Sequence, residues 1–497
     1  MQAQPSFFPT KTARIFALLV IFILGVAIRL ADLTDLPLDF HSTRQLRSAI
    51  KARGMFYETL TDVSPEQRSF AIQQAKVLTP LEPELLESLV AYTYRFTGEQ
   101  LWVARIYSSL FWLIGGIFLY LLARRLTSED GAIAAIAVYL FLPYAVIASR
   151  SFQPDPLMTM FIIMFYWAAY KWSLSANIKH AILAALFGGL AIFVKFPSAI
   201  FIVGAGLGAA LSRRSIKEAL KNPQVYIIAF LGLLPGAAYF LYGTFTGTLG
   251  GQFGGRFIPA LFINPSFYLG WLNMLNHVTG GVILMLALLG IFFFDKEKRR
   301  FMLGLWGGYA LFGFYFNFHI HTHDYYSLPL IPIAALSLAP LLDAFLAKLT
   351  QRTNTPSLRF ISIVFLFFGL IASFWNVRNQ LNALDYRPQA EMWAEISAKT
   401  AEYTIAGLTE DYGTRMSYWG WRAIINWPSY GDLLYNEKRS GAQKDFEKQF
   451  AQFASKKDLF IVTDFNDLAR QPFLADKLTT YPVFAEGDGY VIYQLQP

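Results

Sequence analysis

The stretch HAILAALFGGLAIFVKFPSAIFIVGAGLGAALSRR, residues 180–214, decides how the chain is threaded. It is long for one membrane span, which takes about 20 apolar residues, and short for two. Lys195-Phe196-Pro197 interrupts it. Pro197 suits a helix start, and a bare lysine in mid-bilayer costs about 2.5–3.5 kcal/mol even on insertion scales. The reading is a tight helical hairpin with Lys195 at the membrane face. Charge supports it. With the hairpin, seventeen Lys and Arg fall on one side, from Lys11 and Arg14 through Arg213 and Arg214 to Arg352 and Arg359. The short loops opposite hold Arg150, Lys195 and Arg256. Fusing 180–211 into one span reverses everything downstream and erases the asymmetry that the positive-inside rule requires. The N-terminus is therefore expected in the cytoplasm and the C-terminus outside, with the chain in an inner or plasma membrane.

Composition agrees with a polytopic membrane protein. Of 497 residues, 55% are hydrophobic and 15% charged, where a soluble domain has about 25% charged residues. That excess of apolar surface excludes disorder and argues against one soluble domain. The chain has no cysteine, so it has neither disulfides nor thiolate sites. Apolar stretches predict about eleven transmembrane helices, near 13–30, 101–123, 131–149, 157–172, 180–195, 197–211, 225–243, 276–294, 301–318, 327–346 and 360–376. The first is too long for a signal peptide and lacks a small-residue cleavage site.

Two segments remain outside the spans: a first external loop, 32–100, with interfacial helices, and a soluble tail, 377–497, after a membrane module of residues 1–376. The tail holds 13 basic and 16 acidic residues, so the overall +8 belongs to the membrane part. It reports topology and not a nucleic-acid partner. In the tail, helices are expected over Pro388–Thr400 and Gly441–Ser455, and strands over Asp458–Thr463 and Tyr490–Leu495, which makes a small α/β domain.

Four polar clusters fall on the expected external face. The first is Pro37-Leu38-Asp39-Phe40-His41-Ser42-Thr43-Arg44-Gln45. Ser42 or Thr43 is suited to cap a helix running to about Tyr57. On that helix Arg44, Arg47 and Lys51 share one face, and Leu46, Ala49 and Ile50 another. Such a cationic stripe suits lipid head groups or a phosphate. The second cluster is the turn Arg150–Pro156, where prolines on both sides of Asp155 fix its backbone. Asp155 fits an N-cap of the following helix as well as a functional acid. Lys195 is the third: it either snorkels to the interface or acts as a point charge for a lipid-borne phosphate. The fourth runs from His319 to Pro329 and includes His321, His323, Asp324 and Tyr325. Three histidines at a period of two converge on zinc only if the segment is extended; otherwise they hydrogen-bond a polar substrate. The preferred reading has no metal and no other cofactor. A Gly-rich loop, Gly243–Gly255, suits a substrate lid, and Arg256 follows it. No P-loop, nucleophile elbow or HExxH motif is present, which argues against ATP-driven transport and triad hydrolysis.

At these residues the chain resembles the GT-C glycosyltransferases, in the branch of protein O-mannosyltransferases and the lipid A aminoarabinose transferase. The resemblance rests on Pro37–Gln45, on His323–Pro332, on an acid in the first external loop, on a second after the third span, and on the external tail. One departure stands out: mannosyltransferases carry an Asp-Glu pair in the first loop, whereas Phe40 follows Asp39. The resemblance implies a polyprenyl-phosphate sugar donor, inverting transfer, and a glycan, lipid or protein hydroxyl as acceptor. The chemistry needs a base for that hydroxyl and cations for the leaving phosphate. Asp39 is the expected base, and Asp155 a second acid. Lys195 and Arg44 are expected on the phosphate. His41, Arg256, His323, Asp324 and Tyr325 are expected around the sugar and donor. The competing class is a secondary transporter or flippase of a lipid-linked sugar, which places its polar groups at mid-bilayer in repeated halves. Here they gather at one face, and no repeat is visible.

Overall fold

A computed structural model describes residues 6–80, 82–249, 256–353, 355–440 and 445–496. All eleven apolar stretches lie on helices. Among the described residues, six helices are long and apolar enough to cross a membrane: Lys11–Arg29, Trp102–Leu126, Asp155–Ser175, Pro223–Phe245, Asp324–Arg352 with its first turn, and Phe360–Leu381. Their outward side chains are large and apolar. Phe365, Phe368, Phe230 and Phe16 are each about two-thirds exposed or more. A water-soluble protein rarely shows so continuous an apolar surface, which suits lipid. The chain is a polytopic α-helical membrane protein.

Three stretches depart from straight spans, each for a local reason. Residues 131–149 form two helices, Glu129–Phe141 and Pro143–Ala148, because Pro143 cannot continue the first. Residues 276–294 belong to a pair, Pro265–Thr279 and Gly281–Phe293, bent by 90°. Gly280 sits at the bend with φ 80°, a backbone that residues with a Cβ rarely adopt. Residues 180–211 are two helices, Ile178–Val194 and Ala199–Ser212, separated by extended Lys195 and a 3₁₀ turn at Phe196–Ser198. Gly243, expected at the start of a loop, lies inside Pro223–Phe245 and packs against Leu249. Residues 244–245 finish that helix and 246–249 form a turn, while residues 250–255 of the expected lid fall outside the described residues.

The chain divides into two compact units. The membrane unit comprises Met1–Leu33, Thr79–Leu86 and Trp102–Ala383, and the sheet unit Thr34–Leu78, Glu87–Leu101 and Leu384–Pro497. This is not a linear division at 376/377, because most of the first loop groups with the tail. The last spanning helix also continues to Leu381. In the membrane unit, Ala199–Ser212 packs on Lys296–Tyr315 through glycines. A Cβ on Gly204 would sit 2.5 Å from the Gly308 Cα, and one on Gly304 2.5 Å from the Gly208 Cα. Small residues let helix backbones approach this closely in a membrane.

The sheet unit is built on five strands: β1 Ile405–Leu408, β2 Ile425–Asn426, β3 Leu459–Val462, β4 Val483–Gly487 and β5 Tyr490–Gln494, in the order β2-β1-β3-β5-β4. β1 runs parallel to β2 and β3, and β5 antiparallel to β3 and β4. β3 is apolar throughout because both of its faces are buried. Leu459 and Ile461 join Trp393, Ile396 and Met416 on one side. Phe460 and Val462 join Trp427, Phe450, Leu474 and Leu478 on the other. The expected helices appear as Pro388–Lys399 and Phe446–Ala454; residues 441–444 of the second expectation lie outside the described residues. β1, β2 and β4 were not expected from the sequence.

Gly204→Val should lower the melting temperature of the detergent-solubilised chain, since overpacking costs about 1–3 kcal/mol. An unchanged melting temperature would show that the two helices do not meet there.

Candidate functional site

In the membrane unit the site begins at a buried turn. Residues 150–154 are buried throughout, and three arginines fix their surroundings. Arg150 donates to the carbonyls of Ala31 and Asp32 at 2.6 and 2.8 Å. Arg105 donates to Asp32 O at 3.1 Å. Arg29 donates to Ser149 Oγ at 2.8 Å and to Leu140 O at 3.2 Å. Ser108 Oγ donates to Ser151 O at 2.7 Å. The chain then enters the helix Asp155–Ser175, whose first residue is Asp155.

Asp155 does not cap that helix. Pro154 holds the cap position, and the Asp155 carboxylate accepts from Lys195 Nζ at 2.8 and 3.1 Å. Their side chains are 3% and 8% exposed. The carboxylate also stands at the positive end of the helix dipole, which favours its charge. Lys195 is therefore buried inside the unit and paired, and it does not snorkel outward. The break Lys195-Phe196-Pro197 turns it inward to a carboxylate.

Aromatic rings line the other side of Lys195. Its Nζ lies 4.9 Å from the centre of the Tyr325 ring and 5.3 Å from that of Tyr326, within cation–π range. Arg256 Nη1 reaches the Tyr326 hydroxyl at 3.4 Å. Tyr326 thus stands between two cations. His319 packs 5.2 Å from the Tyr326 ring and 5.5 Å from the His323 ring. Burial, with the charges of His323, Arg256, Lys195 and His321, lowers the His319 pKa to about 3, so its imidazole is neutral at physiological pH.

The histidine segment is not extended. Asn317–Ile320 is a helical turn and Asp324–Ser327 a 3₁₀ turn. The period-two spacing therefore does not bring three rings together. His321 Nδ1 pairs with Asn317 O at 2.6 Å, His323 Nδ1 with Thr322 Oγ1 at 2.7 Å, and the His323 ring meets Tyr325 at 5.7 Å. Among the described residues, no group of three or more His, Asp or Glu side chains is placed to hold a metal ion.

Asp324 faces His277 Nε2 at 3.3 Å, and Tyr144 meets the His277 ring edge-on at 5.5 Å. Neither His277 nor Tyr144 was found from sequence. His277 precedes the Gly280 bend, and Tyr144 follows the Pro143 break. Both breaks lie inside stretches that read as plain spans; a glycine or proline next to a polar ring was the available signal.

Asp39, His41 and Arg44 belong to the sheet unit. The helix there is Ser42–Tyr57, ending where the sequence placed its end. The residue at its cap position is His41, left-handed at φ 45° and without a side-chain cap bond. Gln45 Nε2 donates to Asp39 Oδ1 at 3.3 Å and to Phe40 O at 2.6 Å, which ties the acid to the helix start. Leu46, Ala49 and Ile50, expected on one apolar face, are buried, and so is Lys51. Arg44 and Arg47 are only half-buried. The expected continuous cationic stripe is thus interrupted by packing within the sheet unit.

The comparisons with known proteins agree with this architecture. Residues 82–242, which include Asp155 and Lys195, match the family model described as dolichyl-phosphate-mannose-protein mannosyltransferase. No curated protein matches the sequence. Among solved structures, ArnT from Cupriavidus metallidurans, crystallised with undecaprenyl phosphate, is 12% identical. The alignment covers 97% of this chain and 98% of that one, with a TM-score of 0.57. The chain has the GT-C fold. AglB from Archaeoglobus fulgidus, solved with an inhibitory peptide and a dolichol-phosphate, also has this fold. It is 12% identical, with coverage of 91% of this chain and 70% of that one and a TM-score of 0.54. The GT-C resemblance expected from the sequence is borne out at the level of the fold.

Removing one partner of a buried ion pair strands the other, at a cost of about 3–5 kcal/mol, whereas replacing both costs far less. Asp155→Leu and Lys195→Met should each sharply lower the melting temperature of the solubilised chain. The double variant should fall by much less than the sum. Additive losses would mean that the two side chains are not paired.

Proposed function

We propose that the protein is a membrane glycosyltransferase that moves a sugar from a polyprenyl-phosphate donor to an acceptor hydroxyl. The observation that carries this reading is the buried Asp155–Lys195 pair, set against Tyr325 and Tyr326 with Arg256 on the latter, in a chain with the GT-C fold. A site of low dielectric with two cations favours charge that develops on a leaving phosphate. An ammonium has three donors; Asp155 takes Lys195 at both carboxylate oxygens, and a further donor serves a phosphate oxygen. Arg256 is the second phosphate contact, while Arg44 is proposed near the donor from the sheet unit.

In the proposed step, the acceptor oxygen attacks the anomeric carbon on the face opposite the phosphate. The new C–O bond forms as the bond to the phosphate oxygen breaks, and that oxygen keeps the electron pair. The acceptor proton goes to the Asp39 carboxylate as general base. The anomeric configuration inverts. Asp155, held by Lys195, orients the sugar or the acceptor; His41, His323, Asp324 and Tyr325 contact the sugar. Apolar helix faces hold the prenyl chain. No step is routed through a metal or another cofactor. The acceptor is a hydroxyl of a glycan, a lipid or a protein. The positive-inside asymmetry supports a site on the external, periplasmic face of an inner or plasma membrane, with a cytoplasmic N-terminus and an external sheet unit.

In vesicles containing a polyprenyl-phosphate sugar, the wild-type chain should form a new glycosidic bond. Asp39→Asn should lower transfer by about 10²–10⁴-fold, the usual scale for a general base, at an unchanged melting temperature. Full transfer by Asp39→Asn would remove that residue from the chemistry. Movement of the lipid-linked sugar across the bilayer without a new bond would favour a flippase.

A further inference from the structure

The Asp39 segment is anchored to a distant part of the sheet unit. Ser42 and Thr43, the first two residues of the helix Ser42–Tyr57, both donate to one oxygen of Asp411, at 2.5 and 2.8 Å. The other oxygen of Asp411 accepts from Arg415 Nε at 2.6 Å, and Arg415 Nη1 donates to Gln389 Oε1 at 3.1 Å. Asp411 is therefore gripped from both sides and is almost fully buried. As a carboxylate at the start of a sixteen-residue helix, it also meets the favourable end of the helix dipole.

The backbone at both ends of this contact is unusual. Asp411, Tyr412 and Gly413 form a left-handed run, with φ of 56°, 57° and 75°. His41, next to Ser42, is left-handed too, at φ 45°. Two of these residues in a row carry a Cβ, and such conformations persist only where the surroundings over-determine them. They cluster at positions where a fold fixes functional geometry.

Two more ties flank the segment. Upstream, Asp35 Oδ1 accepts from Tyr386 N at 3.0 Å. Downstream, the Arg53 guanidinium lies 3.6 Å from the Tyr418 ring and 4.3 Å from the Trp421 ring. Arg53 also donates to Tyr418 O at 2.5 Å and to Glu99 at 2.7 Å. Asp39 thus lies between anchors at Asp35 and Ser42, both held by residues 386–411. We infer that Asp411 is a positioning residue: its left-handed turn fixes the start of the helix Ser42–Tyr57 and, through it, the orientation of Asp39. The C-terminal part of the chain, on this inference, is a template for the first-loop acid. The link to catalysis rests on the proposed role of Asp39; the positioning itself does not.

The test uses the full chain in detergent or nanodiscs and reads hydrogen exchange first. In Asp411→Ala, amides 38–46 should exchange at least about tenfold faster than in the wild type, because their local opening is no longer resisted. Amides of β3 should keep wild-type protection. If Asp411→Ala also unprotects β3, the pair Ser42→Ala with Thr43→Ala removes the same contacts from the loop side and must reproduce the faster exchange at 38–46. Asp411→Glu should restore most of the protection. Transfer is the second readout: Asp411→Ala should lower kcat about 10–100-fold at unchanged donor KM, as misplacement of a reacting group does. It should add no further loss in an Asp39→Asn background. Unchanged exchange at 38–46 in the Ser42→Ala, Thr43→Ala variant would overturn the inference. Absence of transfer in the wild type would overturn the proposed function instead and leave the exchange result to decide this one.

Discussion

The buried ion pair between Asp155 and Lys195 is the constraint on which the membrane unit depends. Two opposite charges in an apolar interior are tolerable only together. Holding them together dictates much of the local chain. The helix before Lys195 must end at Val194, and Phe196-Pro197-Ser198 must turn before the next helix starts. The turn 150–154 must be rigid enough to present Asp155 at the first position of its helix, which explains why Arg29, Arg105 and Arg150 spend their donors on backbone carbonyls and on Ser149. A cation set against two tyrosine rings then follows from the same break.

That geometry links the fold to chemistry. A carboxylate fixed by a lysine keeps its orientation while substrate binds, which is the condition for positioning a sugar without reorganisation. Arg256 reaches Tyr326 from a different segment of the same unit, so the aromatic pair joins two sources of positive charge. In the sheet unit the same principle recurs with other residues. Gln45 ties Asp39 to its helix, and Asp411 ties the helix to the strand-bearing tail. Each acid is held by residues of its own unit.

Much of this was legible in the sequence, because the strongest signals were energetic. A lysine and a proline in the middle of an apolar run cannot continue one span, so 180–211 read correctly as two helices. The end of the helix at Tyr57 and the strands at 458–463 and 490–495 followed from period and composition. What the sequence hid were partnerships. Lys195 looked like a surface charge because its partner lies forty residues earlier in the chain. Ser42 and Thr43 looked like helix caps because Asp411 lies far downstream. The histidines looked like a period-two ligand set because nothing local announced the turns at Asn317–Ile320 and Asp324–Ser327. The bends at Pro143 and Gly280 lie inside runs whose overall hydropathy is that of a span, which masks the proline, the glycine and the polar rings beside them. β1 is only four residues long and β2 two, too short to show an alternation.

A density map of the chain with bound undecaprenyl phosphate would show where the donor's phosphate sits. The phosphate is expected within hydrogen-bonding distance of Lys195 and Arg256, against Tyr325 and Tyr326, with the Asp155–Lys195 contact retained. A phosphate seated elsewhere, with Lys195 and Arg256 more than a hydrogen bond away, would contradict this expectation.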